Sequence, residues 1–150
     1  MAHTYTSLHY HCVFSTHDRR DLILQDQLPD VHAYMGGIVR NLKGCALAIG
    51  GTSNHVHLLI GLPSAIAPAE AVSKIKANLT GWVHENITAM SNFRWQEGYG
   101  AFAVSCSQID TVAHYILNQP RHHETLTFEQ EYLALLKKHN IDYDERYVLD

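Results

Sequence analysis

No part of the 150-residue chain is an apolar run of the roughly 18 residues that would suggest a membrane-spanning helix. The opening Met1-Ala2-His3-Thr4-Tyr5 has neither a charged head nor an apolar middle, so no secretory signal is expected. Cysteine is scarce. Cys12, Cys45 and Cys106 are odd in number and widely spaced, giving neither a zinc knuckle nor a disulfide framework, and a reducing cytoplasm is the expected compartment. Charged residues make up 17% of the chain against 46% apolar, which argues for a packed core and against disorder. Repeats, linkers and low-complexity segments are lacking too, so one domain over residues 1–150 is expected.

A basic excess is also missing. The formal net charge is −4, whereas nucleic-acid binders usually carry a basic footprint. The twelve histidines add little, being mostly neutral near pH 7. Any contact with nucleic acid must therefore rest on local clusters: Arg19-Arg20, Arg40 with Lys43, Lys74 with Lys76, and Arg94. Solvated surface charge is the default reading of each.

What is present is a clear alternation of element types. Tyr5–Thr16, rich in aromatic and β-branched residues, predicts a strand. From Asp21 to about Leu42 the apolar spacing predicts a helix, with Pro29 marking an early kink or a short preceding turn. Cys45–Ile49 predicts a second strand. Gly50-Gly51-Thr52-Ser53-Asn54 is turn chemistry, and it leads into a third strand at His55–Leu62. Pro68 suits the first turn of a helix running to about Asn86, with Val72, Ile75, Leu79, Trp82 and Val83 inward and Lys74 and Lys76 on its solvent sides. After an aromatic loop, where Trp95 and Tyr99 suit core packing, with stacking on unpaired bases as the alternative, come a strand at Ala101–Ser105 and helices at Gln108–Gln119 and Thr127–His139. The order β-α-β-β-α-β plus C-terminal helices predicts an α+β fold of ferredoxin-like or RRM-like type, an antiparallel sheet with helices on one face. Fold alone names no function.

Two constellations could carry chemistry. In a strand, His55 and His57 share one face while Val56, Leu58 and Ile60 point to the core, so two imidazoles can meet one cation on a rigid support. Histidines on a half-exposed strand are the plain alternative. His9-Tyr10-His11 repeats the spacing, so at least one pair is secondary, and the Gly-Gly turn and aliphatic run favour His55 and His57. The second constellation is Tyr115 with Gln119, neighbours on a helix face at i and i+4. They form either an ordinary amphipathic contact or a nucleophile whose neighbour holds a metal through its amide oxygen.

Read together, His55-Val56-His57-Leu58-Leu59-Ile60, the block from Trp95 to Phe102, and Tyr115-Ile116-x-Asn118-Gln119 with His122-His123 resemble the single-tyrosine HUH transposases of the insertion-sequence 200/605 family. Tyr10–Thr16 and Ile141–Asp144 are similar as well, so the resemblance spans nearly the whole chain in order. It implies that His55, His57 and Gln119 ligate a divalent metal ion, Mg²⁺ or Mn²⁺, and that Tyr115 is the catalytic nucleophile. The imidazole and amide set suits Mn²⁺ better. It further implies a homodimer that cleaves and rejoins single-stranded DNA at hairpin-bearing transposon ends through a 5′-phosphotyrosine. Lys74, Lys76 and Arg94 are the candidate DNA contacts. A histidine-triad hydrolase would want a third histidine where Leu59 stands. A non-catalytic or domesticated hairpin-binding module is the alternative from another class.

Overall fold

The computed structural model describes residues 3–150; Met1 and Ala2, the start of the segment read as no secretory signal, lie outside it. Four strands form one sheet: β1 (His9–Ser15), β2 (Cys45–Thr52), β3 (His55–Gly61) and β4 (Gly100–Val104). Their order is β2-β3-β1-β4, and all neighbours are antiparallel. The helices are α1 (Leu28–Asn41), α2 (Pro68–Asn86), α3 (Ile109–Leu117), α4 (Gln119–His122) and α5 (Phe128–Lys138). The expected α+β class and element order are what the chain adopts.

Side-chain alternation splits the sheet into two functional faces. Cys12 and Phe14 of β1 and Val56, Leu58 and Ile60 of β3 point to α1 and α2, closing the main core with Val31, Met35, Ile75 and Leu79. Trp95 packs there edge-on against Phe14, its ring centroid 4.8 Å away, as expected of a core residue, whereas Tyr99 remains exposed. The opposite residues, His11, Val13, His55, His57 and Leu59, face the C-terminal helices. Leu59 and Ala48 meet Ile116 of α3, while Val13 and Phe102 meet Phe128, Tyr132 and Leu136 of α5. The two crossover helices thus cover one face, and the C-terminal helices roof the other.

Several boundaries differ from those predicted. Strand β1 begins at His9, because residues 3–8 are exposed and find no strand partner. Helix α1 starts at Leu28 after a short 3₁₀ turn at Gln25–Gln27, and Pro29 occupies its first turn, where a missing N–H costs nothing. Gly50 and Gly51 are strand residues, not turn residues: they pair with His57 and Val56, and the reversal is made by Ser53 and Asn54 alone. A Cβ at Gly50 would lie 2.2 Å from the carbonyl oxygen of Ile116, so this glycine serves the close approach of α3 to the sheet. Among the described residues no helix is long and apolar enough to cross a membrane. Cys12, Cys45 and Cys106 are all free.

Candidate metal and nucleophile centre

The roofed face carries the chemistry. His55 and His57 project from β3 side by side and are completely buried, as is Gln119, with Glu131 almost so. Gln119 arrives by an unexpected route. The helix expected to hold both Tyr115 and Gln119 breaks at Asn118, because Pro120 cannot continue it. Tyr115 therefore lies in the last turn of α3 and Gln119 opens α4, yet both side chains reach the same cluster. The Gln119 Oε1 lies 2.9 Å from His55 Nε2 and 3.0 Å from His123 Nε2.

Glu131 is the residue that sequence reasoning missed. It stands in the first turn of α5, whose start is fixed by a capping box: the Thr127 hydroxyl accepts from Gln130 N, and the Gln130 side chain accepts from Thr127 N. From there Oε1 lies 2.8 Å from His57 Nε2, 3.2 Å from His123 Nε2 and 3.6 Å from His55 Nε2. The Tyr115 hydroxyl donates to the other oxygen, Oε2. One signal was available in the sequence, since Glu131 falls within the apolar stripe of Phe128, Tyr132 and Leu135 where a charge has no packing reason to be. His123, which the sequence marks only as part of the block after Gln119, joins the cluster through Gln119 Oε1 and Glu131 Oε1.

A further layer of residues fixes the ring orientations. Asn54 directs its amide nitrogen towards the Arg19 carbonyl, which leaves Oδ1 to accept from His55 Nδ1 at 2.8 Å. The Thr52 hydroxyl lies 3.0 Å from the same nitrogen. This network assigns the His55 proton to Nδ1 and a lone pair to Nε2. The lone pair then faces the Gln119 carbonyl oxygen, two acceptors turned towards each other. Behind His57, the buried His11 Nε2 sits 2.8 Å from His57 Nδ1, which gives the second His-x-His pair a supporting place. His9 points elsewhere, near Ser7.

Electrostatics reinforce the geometry. Burial, then the neighbouring His57, lowers both His11 and His55 to about 3. His57 is lowered as well, by burial acting against its hydrogen bond with Glu131. Burial alone would raise the Glu131 carboxyl, but hydrogen bonds from His123, His57 and Tyr115 outweigh it and keep the group ionised. Burial and the Glu131 contact push the Tyr115 phenol above its ordinary value. The site thus sets an anionic carboxylate beside the neutral imidazoles of His55 and His57.

These residues suit a divalent cation. His55, His57 and Glu131 each offer a ligand atom, all within 4.8 Å of one another. The His55 Nε2 lone pair and the Gln119 carbonyl oxygen face each other as two acceptors that a positive charge between them would satisfy, and the Gln119 Nε2 has no partner where it lies.

The proposed DNA contacts sit elsewhere. Lys74 is exposed and pairs with Glu70 at 3.0 Å. Lys76 does not face solvent as expected: its ammonium donates to the carbonyls of Gln96, Glu97 and Gly98 at 2.9, 3.2 and 2.6 Å. Backbone acceptors of the aromatic loop draw it inward over the Phe14 ring. Arg94 is exposed at the base of that loop.

Comparison with known proteins follows the same lines. A candidate transposase from Deinococcus radiodurans R1 superposes with a TM-score of 0.62 at 18% identity, covering 79% of this chain and 96% of that one. A REP-associated tyrosine transposase bound to a REP hairpin gives 0.58 at 16% identity, covering 82% of this chain and 73% of that one. At those identities the likeness is one of fold. No curated protein matches the sequence. Residues 4–119, which carry His55, His57, Tyr115 and Gln119, match the family described as IS200-like transposases, and the chain belongs to that family.

Proposed function

We propose that this transposase cuts and rejoins single-stranded DNA at hairpin-bearing ends, with Tyr115 as nucleophile and a divalent cation held by His55, His57 and Gln119. The observation that carries the reading is the meeting of the Tyr115 hydroxyl with the buried histidine cluster through Glu131. A structural tyrosine at a helix edge would have no reason to end against a set of metal-type donors.

A phosphodiester resists attack because its oxygens repel a nucleophile and the 3′ oxygen leaves poorly. A cation held at the cluster would draw charge from the phosphate and the departing oxygen. Tyr115 oxygen forms the new bond to phosphorus, the bond to the 3′ oxygen breaks, the phenol loses its proton and the 3′ oxygen gains one. A phenol is protonated at neutral pH, so the proton must leave as the new bond forms. The linkage conserves the phosphoester bond, so a second 3′-hydroxyl can reverse the step and seal a new junction.

Hairpin recognition is supported by the neighbour named for its REP hairpin, and a homodimer by the resemblance of the motifs. Lys74 and Arg94 are available for phosphates. Wild-type and Tyr115→Phe protein would be incubated with Mn²⁺ and single-stranded DNA carrying the flanks of the encoding element, then resolved on a denaturing gel. An adduct that needs both metal and Tyr115 supports the reading. Folded wild-type protein that binds the hairpin and never forms an adduct would replace it with a non-catalytic binding module.

A further inference from the structure

We propose that Glu131 completes this centre from outside the family-matched segment, ligating the cation through Oε1 and orienting the Tyr115 hydroxyl through Oε2. The inference rests on the strand-transfer reading above and deepens it. The family match ends at residue 119, so the joining group belongs to the C-terminal helix α5.

Three observations carry it. First, Glu131 is 1% exposed, and among the described residues no lysine or arginine pairs with it. A buried carboxylate needs a countercharge, and the surrounding groups are imidazoles and a phenol. A divalent cation among them supplies that charge. Second, its two oxygens divide their work: Oε1 turns to the Nε2 atoms of His57, His123 and His55, and Oε2 takes the hydroxyl of Tyr115. One rigid carboxylate therefore sets the spacing between the cation and the attacking oxygen. Third, the residue is well held, since the capping box fixes the first turn of α5 while Phe128, Tyr132 and Leu136 anchor it to Val13 and Phe102.

Tyr115 is also accessible from another side. It lines a cleft of about 640 Å³ together with His11, Val112, Leu135, Lys138 and His139. Glu131 is not among the residues that line this cleft and stays buried. Metal occupancy and alignment of the nucleophile are thereby coupled through a single side chain.

The test compares wild-type, Glu131→Gln and Tyr115→Phe protein, first by Mn²⁺ titration calorimetry and then by the rate of adduct formation at saturating Mn²⁺. Glu131→Gln is expected to bind Mn²⁺ at least 10-fold more weakly. At saturating metal it should also form adduct at least 10-fold more slowly, with an unchanged KM for DNA. Tyr115→Phe should bind Mn²⁺ like the wild type. If Glu131→Gln binds Mn²⁺ and reacts as the wild type does, the carboxylate only packs and the proposal fails. Faster adduct formation by Glu131→Gln would also overturn it, because the carboxylate would then be blocking the phosphate. Should that variant misfold, hydrogen exchange on the wild type decides: Mn²⁺ must protect the amides of α5, and unmoved exchange there rejects the ligand. Wild-type protein that binds Mn²⁺ through Glu131 yet forms no adduct would sink the strand-transfer reading and leave this metal site standing.

Discussion

His57 and Tyr115 are 58 residues apart in the chain and meet on one carboxylate: Glu131 Oε1 lies 2.8 Å from His57 Nε2, and Oε2 accepts the Tyr115 hydroxyl. A β-strand and two of the C-terminal helices, α3 and α5, are each needed to bring this about. The predictions below probe how those parts depend on one another.

Removing only the Tyr115 oxygen should separate chemistry from structure. Tyr115→Phe is expected to abolish the covalent adduct, with a fall of at least about 10³-fold, since no second hydroxyl takes its place. Folding stability should change by no more than about 1–2 kcal/mol, the usual range for one hydrogen bond. Urea unfolding beside the adduct gel checks both halves.

Asn54 bonds the Nδ1 side of the His55 ring, away from the nitrogen that would meet a cation, and so sets the His55 tautomer. Asn54→Ala should weaken Mn²⁺ binding about 10- to 100-fold, as loss of a partner behind a ligand histidine commonly does. Isothermal titration reads the change. Unaltered affinity would mean that His55 keeps its lone pair on Nε2 without help.

Gly50→Ala tests the fit of α3 to the sheet. The added methyl would meet the Ile116 carbonyl at 2.2 Å, so α3 must move outward and take Tyr115 with it. A loss of about 1–3 kcal/mol in stability is expected, accompanied by slower adduct formation. Stability loss with a wild-type adduct rate would show that the nucleophile tolerates displacement of its helix.

Without metal, the protein should lose stability as the solution becomes acidic. The folded-state values of His11 and His55 lie near 3, below the ordinary 6.5, and His57 is lowered too. Below about pH 6.5 the unfolded chain therefore binds protons that the folded chain refuses, and stability falls with pH. Glu131, held below its usual range, adds a loss of the same sign at more acid pH. His11 and His55 each contribute about 2 kcal/mol between pH 7 and pH 5, and His57 adds a loss of the same sign. Chemical denaturation at pH 7, 6 and 5 measures the slope, and a flat profile would contradict the neutral cluster.

Lys74 and Lys76 should part company on mutation. Lys76→Ala removes three hydrogen bonds to carbonyls and is expected to cost about 1.5–3 kcal/mol of folding stability. Lys74→Ala breaks an exposed pair and should change stability by less than about 0.5 kcal/mol. Thermal melts of the two variants distinguish them, and equal losses would show that the inward position of Lys76 contributes nothing.

The alternation of apolar and polar residues was enough to define the sheet and its two crossover helices, because each element is specified by its own period. It was also enough to put His55 and His57 on one face, since a strand leaves no other choice. The run Tyr115 to Gln119 was legible as a unit, although its continuous helix was not: Pro120 breaks it, and only packing returns Gln119 to the cluster. Gly50 and Gly51 misled for a related reason. Glycine marks a turn and a close backbone approach alike, and the neighbour that decides between them is Ile116, far away in sequence.

What the sequence determined by itself were local properties: the element types, the shared face of the histidine pair and the motif order of an IS200-like transposase. What only the tertiary structure decided were the partners. The roofing of the second sheet face by α3, α4 and α5, the support of His57 by His11, the inward turn of Lys76 and the arrival of Glu131 between metal donors and nucleophile all arise from contacts distant in the chain. Periodicity specifies which way a side chain points within its own element; what it meets there depends on how the elements pack.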